Sequence, residues 1–457
     1  MPPLPAMLPR ATLIAAFGAL TLPGTAAAHT LTERYQAPLP LIAYVAGAAL
    51  AVAMSFVFVM LRGAAPVATA EPARPRTVPS WLRAVLSTVG LVAWLWIVVQ
   101  ALLGGQGSGD VASLFIWVYG WVGLALVSAL LGPVWVWLDP FSTIHRLLGA
   151  VGSRLGMSGG EPADYPERWG QWPAAIGFAV VIWVELAARV DGGRTLGLLL
   201  VAYTLISLAG MSYFGRESWR RNAEIFSVWF GILGRLAPFA LEDEPEDGRV
   251  VRRSFGSGLL AQRWTVAELV MVALGTGSII FDGLSQTQIY FDIFGGVSVL
   301  GLPAVRDTLI LAGFLGLIVA IVLLVARRLR PDALGAGLLP VAVGYLVAHY
   351  FTFLLVDGQR IVNAMNDPLA RGDNLLPAEF AFYEPSLPLS ASIVWSIQLA
   401  AVVGGHIIGA WAGHAALTED EPNAPMRRQL PLATLMVVLT SVTLWSLGQA
   451  VLSPTAA

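Results

Sequence analysis

Runs of about 20 apolar residues recur along this 457-residue chain, and they limit what it can fold into. A run of that length crosses the hydrocarbon core of a bilayer as one α-helix. The composition points the same way, because 56% of the residues are hydrophobic and only 12% are charged, whereas soluble domains carry roughly 25% charged residues. The sequence therefore predicts an all-α fold, a polytopic transmembrane helix bundle embedded in a lipid bilayer.

The hydropathy pattern predicts about ten spans. They are expected near residues 40–61, 84–104, 111–137, 172–190, 195–215, 264–283, 306–326, 335–356, 388–414 and 431–452. The apolar segment 222–239 is shorter and contains Arg235, so we expect it to form an interfacial or re-entrant helix instead of a span.

The N-terminus has the features of an export signal. Arg10 precedes an apolar stretch of 12 residues, and Ala26-Ala27-Ala28 is a small-residue cleavage site. We expect residues 1–28 to be a signal peptide cleaved after Ala28. Residues 29–457 then form a single transmembrane domain that begins with His29. The alternative is an uncleaved N-terminal anchor.

The distribution of arginine predicts the orientation. With an exported N-terminus, 20 arginines fall in cytoplasmic segments and six in external ones, as the positive-inside rule requires. We therefore expect a bacterial inner-membrane protein whose mature termini both face the periplasm. Two long external segments, 281–307 and 357–385, are rich in polar and aromatic residues and are typical of a functional face.

Several kinds of chemistry are excluded by residue type. The chain has no cysteine, so disulfides, thiolate metal sites and cysteine nucleophiles are excluded. All 27 basic residues are arginine, which excludes a lysine Schiff base. The sequence contains no serine-hydrolase elbow, P-loop or zinc-protease motif, and no nucleic-acid partner is expected.

Ionisable side chains within spans are costly and mark functional positions. Four are expected in the outer half of the membrane: Glu185, Asp282, His349 and Asp357. His349 lies seven residues before the external end of its span, at a depth of about 10 Å. We expect His349, Asp282 and Glu185 to be catalytic residues.

The same region could hold a divalent metal, with Zn or a copper-like ion as the candidate. Imidazole and carboxylate are ligands that suit such ions, and a chain-terminal histidine offers its α-amino group as well. A bound metal would activate water by lowering its pKa. The predicted ligands are His29, His349, Asp282 and Asp357.

Each of these residues also has a structural interpretation. Asp282 and Asp357 could cap helix ends, and Glu185 could pair with Arg189, four residues later. His29 could simply be the residue that cleavage leaves first. His406 and His414 could hydrogen-bond between helices or serve a function, and the sequence leaves that question open.

Several longer strings resemble one protein family. They include YPERWGQWPAAIGF, FDGLSQT, VAHYFTFLLVDGQRIVNAMNDPLARG, SIQLAAVVGGHIIGAWAGHAAL and LTSVTLWSLGQA, in this order along most of the mature chain. These strings are similar to those of integral-membrane proteins known as fenitrothion hydrolases. The FDG at 281–283 and the AHYF at 348–351 are the most specific parts of the resemblance.

The resemblance implies a membrane-bound phosphotriester hydrolase that cleaves the aryl ester bond of organophosphorus compounds. It also implies a second membrane-associated subunit, and hence a hetero-oligomer. Two other functions stay open at this point. Ten spans could divide into an inverted repeat of five plus five, as in a transporter of metal or small solutes, or the chain could be a non-catalytic subunit.

Overall fold

A computed structural model of the chain describes residues 40–62, 74–104, 109–157, 160–242, 248–299, 302–377, 380, 383–418 and 430–447. The predicted signal peptide, its cleavage site and His29 lie outside the described residues, as does the C-terminus.

Helices dominate the first half of the chain. In chain order they are α1 (Leu41–Arg62), α2 (Ser80–Leu103), α3 (Val111–Leu130), α4 (Trp135–Leu138), α5 (Pro140–Arg154), α6 (Trp172–Leu186), α7 (Gly193–Phe214), α8 (Arg216–Asn222) and α9 (Ile225–Leu233). A 3₁₀ turn, Glu167–Trp169, precedes α6.

The second half is also helical. Its helices are α10 (Gly258–Ala261), α11 (Val266–Ser285), α12 (Gln288–Phe294), α13 (Pro303–Ala326), α14 (Pro331–Val356), α15 (Ile361–Asn366), α16 (Ala391–Thr418) and α17 (Leu430–Leu447). A 3₁₀ turn, Asp357–Arg360, joins α14 to α15.

Among the described residues, eight helices are long and apolar enough to cross a membrane. They are α1, α2, α3, α7, α11, α13, α14 and α16. Two shorter apolar helices, α6 and α17, coincide with the other two predicted spans. The chain is therefore a multi-pass helical membrane protein, and the total of ten spans stays a prediction.

Several predicted boundaries differ from those of the structure by a few residues, and two of the differences have a local cause. Helix α3 ends at Leu130 instead of 137, because Gly132 has a positive φ of 122° and Pro133 follows it. Helix α14 begins at Pro331 instead of 335, since proline is favoured in the first turn of a helix. Within segment 222–239, helix α9 is buried inside the protein, with Trp229 and Ile232 in the core.

The sequence does not predict the small antiparallel sheet whose strands carry Arg76, Arg249 and Arg252. The end of the bundle at which this sheet lies is called the arginine-rich end. The strands of the sheet are β1 (Arg76–Thr77), β2 (Phe239–Leu241) and β3 (Arg249–Arg252), in the order β1-β3-β2. Strand β3 is central and pairs Arg76 with Val250 and Ala240 with Val251. Strands of two to four residues are too short for a recognisable alternation of polar and apolar side chains.

Glycine brings α14 and α16 into close contact. A Cβ added at Gly409 would lie 2.2 Å from the Gly337 carbonyl oxygen, and one at Gly405 would lie 2.5 Å from the Pro340 oxygen. Gly413 completes a series spaced four residues apart on α16. Small residues at this spacing let membrane helices approach backbone to backbone.

Helix α11 occupies the centre of the bundle, with 89% of its apolar stretch buried. Its N-terminus has a capping box, in which Thr265 and Glu268 each bond to the other's backbone N–H. The same Glu268 pairs with Arg235 at 2.6 Å, and Arg235 stacks over Trp264 at 4.2 Å. These contacts fix the position of α11, whose opposite end carries Asp282.

The glycine contact generates a stability prediction. We expect Gly409→Ala to lower the free energy of unfolding by about 1–3 kcal/mol, because the new Cβ has no room beside Gly337. Gly404→Ala is the matched control, since nothing lies within 4 Å of a Cβ there. Thermal unfolding of both variants in the same detergent measures the difference, and equal midpoints would contradict the prediction.

Candidate functional site

Asp282 and His349 form a hydrogen-bonded pair between α11 and α14. Asp282 lies in the last turn of α11, and His349 lies two turns before the end of α14. The His349 Nε2 is 2.8 Å from the Asp282 Oδ2, and both side chains are largely buried. With the carboxyl group ionised, Nε2 carries the proton and Nδ1 is left as a proton acceptor.

Two further donors hold the Asp282 carboxylate. Gln286, the residue that follows the last turn of α11, donates to Oδ1 at 2.9 Å, and the Tyr350 hydroxyl donates to Oδ2 at 3.3 Å. The arrangement therefore keeps Asp282 as an oriented acceptor for His349.

Gly283 makes room for the histidine ring. A Cβ at this position would lie 3.4 Å from the His349 Cε1 and 3.6 Å from its Nδ1, and 2.9 Å from the Ser446 Oγ. Glycine thus allows the imidazole and helix α17 to approach α11 closely.

All four ionisable residues predicted for the outer half of the membrane line one cavity of about 850 Å³. They are Glu185, Asp282, His349 and Asp357. Asp191 adds another carboxylate and Arg360 a positive charge. The aromatic and aliphatic residues of the cavity wall include Trp117, Phe353 and Val394.

Glu185 is not in the ion pair that its spacing from Arg189 allows. In the described part of the chain, Arg189 instead pairs with Asp307, at 3.7 Å, and Glu185 forms no ion pair. The Glu185 Oε2 is inaccessible to solvent and has no hydrogen-bond partner among the described residues. A buried carboxylate oxygen without a donor is costly, and this one belongs to a residue that lines the cavity.

The 3₁₀ turn Asp357–Arg360 lies at the cavity mouth. Asp357 and Arg360 pair at 2.8 Å, and both are partly exposed. The Tyr119 hydroxyl donates to the Gly358 carbonyl oxygen at 2.6 Å, which ties the turn to α3. Asp357 is therefore a mouth residue that follows the last turn of α14, and it does not contact the Asp282–His349 pair in any hydrogen bond of the described structure.

Part of α3 is a π-helix, Leu114–Gly123, and it contributes Leu114, Trp117 and Val118 to the cavity wall. π-Helical turns are uncommon and frequently lie at functional sites. This feature has no local sequence signal, because the segment reads as an ordinary apolar span.

His406 and His414 lie outside the cavity. His406 is fully buried on α16, where its Nδ1 is 2.8 Å from the Val402 carbonyl oxygen and its Nε2 is 3.4 Å from the Tyr345 hydroxyl. The first contact is within α16, and the second joins α16 to α14, as in a helix-packing residue. His414 is buried two turns further along α16.

The described donors do not fit a metal site on their own. No group of three His, Cys, Asp or Glu that could hold a metal occurs in the parts of the chain that the structure describes. The His349 Nε2 and Asp282 Oδ2 are at hydrogen-bond distance, shorter than the roughly 3.3 Å between two ligand atoms of tetrahedral zinc. The predicted metal thus depends on His29, which lies outside the described residues.

Some residues of the site were missed from the sequence. Tyr350 is adjacent to His349, and Gln286 is four residues after Asp282. Once His349 and Asp282 are chosen as site residues, this spacing predicts that Tyr350 and Gln286 lie near them. Asp191 and Trp117 come from other parts of the chain, and only the tertiary structure brings them to the cavity.

Comparison of this chain with known protein families, curated proteins and solved structures finds no match.

The position of the cavity mouth generates a labelling prediction. Because the chain has no cysteine, a single Asp357→Cys substitution gives one reactive thiol at the mouth. We expect it to react with a membrane-impermeant maleimide added outside intact cells. Gln262→Cys, exposed at the arginine-rich end, should react only after the membrane is permeabilised. The reverse pattern would show that the cavity opens to the cytoplasm.

Proposed function

We propose that the protein is a membrane-embedded phosphotriester hydrolase of the bacterial inner membrane, with ten spans, that cleaves the aryl ester bond of organophosphorus triesters such as fenitrothion. The observation that carries the proposal is the Asp282–His349 pair on the wall of a cavity in the predicted outer half of the membrane. The FDG and AHYF strings, which carry the family resemblance most specifically, contain these two residues.

In the proposed reaction, His349 takes a proton from water. Asp282 holds the Nε2–H, so the imidazole accepts the proton on Nδ1 and the carboxylate stabilises the resulting imidazolium ion. The hydroxide forms a bond to phosphorus as the bond to the aryl oxygen breaks. The aryloxide leaves with the electron pair, and a nitrophenolate needs little help from an acid.

The charges of the cavity suit a neutral substrate and anionic products. Among the described residues, its wall carries the carboxyl groups of Glu185, Asp191, Asp282 and Asp357 and the guanidinium group of Arg360. An uncharged triester enters such a site without repulsion, whereas a phosphodiester anion and a phenolate are repelled and released. The aromatic part of the wall offers contact surface for the aryl group.

The proposal predicts the effect of removing either member of the pair. Asp282→Asn and His349→Gln should each lower the rate of nitrophenolate release by a factor of about 10²–10⁴, the usual range for a lost general base. The double variant should be no slower than the slower single variant, because the two residues act as a unit. Absorbance of the released nitrophenolate measures the rate.

Asp292→Asn is the matched control. Asp292 is exposed on α12 and accepts a hydrogen bond from Gln288, away from the cavity, so the same chemical change there should leave the rate unchanged. Full activity in a folded His349→Gln variant would refute the assignment. Activity that appears only with a co-purified partner and is unchanged by His349→Gln would show that this chain is the non-catalytic subunit.

A second candidate, a transporter, is favoured by the polar groups below the cavity. Tyr345 lies one turn before His349 on α14, and its hydroxyl reaches His406 on α16. The polar side chains of His349, Tyr345 and His406 could conduct protons or a metal towards the other side of the membrane. Proteoliposomes containing the protein should show no proton flux or metal uptake if the hydrolase proposal is correct.

A divalent metal remains a separate prediction, because His29 would have to complete its site. N-terminal sequencing together with elemental analysis of the purified protein tests it. A mature chain that starts at His29 and contains stoichiometric zinc or copper would support the metal, and a metal-free active protein would exclude it.

A further inference from the structure

Helix α5 has an apolar face that the bundle does not cover. Its apolar side chains follow the spacing of one helix face, with three of them, Leu147, Leu148 and Val151, more than half exposed. Leu155, just beyond the last turn, is 72% exposed. Ser153, on the opposite side of the helix, is also exposed. The helix is therefore amphipathic along the length that projects from the bundle.

The first turn of α5 is firmly anchored. The buried Asp139 carboxylate accepts the backbone N–H groups of Phe141 and Ser142, at 2.9 and 3.2 Å, and it pairs with Arg220 at 3.4 Å. Phe141 is fully buried, with ring centroids 4.9 Å from Trp94. The anchored base fixes the direction in which the exposed part of the helix projects.

The projecting segment is positively charged. Residues 140–160 contain Arg146 and Arg154 and no Asp or Glu. Arg216, at the start of α8, lies close enough to Arg146 that burial and the charge of Arg146 both lower the pKa of its guanidinium group. Positive charge thus collects at the base of a helix with an uncovered apolar face.

The helix also lies where a membrane surface would be. It starts ten residues after the end of α3, a spanning helix, and it belongs to the end of the bundle at which most arginines lie. Exposed Trp169 and Trp172 stand at the entry to α6 at the same end, as is typical of residues at the headgroup level.

We propose that α5 lies in the headgroup region of the cytoplasmic leaflet, with Leu147, Leu148, Val151 and Leu155 in the acyl boundary and Arg146 and Arg154 bound to anionic phospholipids. A helix with an apolar face and basic flanks adopts this position. The cytoplasmic leaflet supplies the negative headgroups that attract such a segment. The proposal is independent of the chemistry in the cavity.

Fluorophore labelling at single cysteines tests the proposal, since the chain has no cysteine of its own. Leu148→Cys places a fluorophore on the apolar face, and Ser153→Cys places the matched control on the opposite face. The full chain is reconstituted in phosphatidylcholine vesicles with and without phosphatidylglycerol. Two quenchers are compared: a nitroxide lipid labelled near its headgroup, and iodide present on both sides of the membrane.

The label at Leu148→Cys should be quenched by the nitroxide lipid and protected from iodide, more strongly with phosphatidylglycerol. The label at Ser153→Cys should respond mainly to iodide. Adding Arg146→Gln and Arg154→Gln should remove the dependence on phosphatidylglycerol, because each arginine near an anionic surface favours the bound state by about fivefold.

Three results would overturn the proposal. Equal access of iodide to both labels would place α5 in water. A Leu148→Cys label protected from both quenchers would show that protein covers the face, either a second copy or a partner subunit. Lipid quenching that is the same with and without phosphatidylglycerol would exclude the role of anionic headgroups.

Discussion

The close contact between α14 and α16 is the constraint on which the rest of the structure depends. Lipid tails are as apolar as the side chains that they contact, so membrane helices associate through packing and polar contacts instead of a hydrophobic driving force. The glycine series on α16 lets it pack backbone to backbone on α14, and α14 in turn packs against the buried α11. Because His349 is on α14 and Asp282 is on α11, this packing sets the geometry of the pair.

Buried polar groups occur at both ends of the bundle. At the arginine-rich end, Glu268 pairs with Arg235, and Glu224 accepts the Tyr203 hydroxyl and two backbone N–H groups of α9. The Arg235 Nη1 and the Ser227 Oγ at that end are buried and have no hydrogen-bond partner among the described residues. In the cavity, the Glu185 Oε2 has no donor among the described residues. Structural polar groups in a low-dielectric interior are normally paired. Because Glu185 lines the cavity, its unpaired oxygen is an acceptor that a donor bound in the proposed site would satisfy.

The sequence predicts the helical class, and each predicted span coincides with a helix. The reason is that a run of about 20 apolar residues has the length and composition of a membrane-spanning helix. The sequence also selected Glu185, Asp282, His349 and Asp357, which line one cavity, since each is an ionisable residue placed near the same predicted membrane level. It could not give the hydrogen bond between Asp282 and His349, which are 67 residues apart, or the π-helix in α3. Those depend on the rotation of each helix, which packing decides. The glycines spaced four residues apart on α16 are a sequence pattern from which its close packing on another helix can be predicted.

The position of the cavity limits which substrates suit the proposed chemistry. His349 lies two turns from the end of α14, so under the proposed function an apolar triester dissolved in the outer leaflet would reach the base at the depth where it partitions. An ionised Asp282 would act more strongly on His349 at that depth than in water. Helix α5, at the opposite end, is suited to fix the bundle in the anionic leaflet. That anchoring would keep the cavity mouth on the outer side, where the labile ester would arrive.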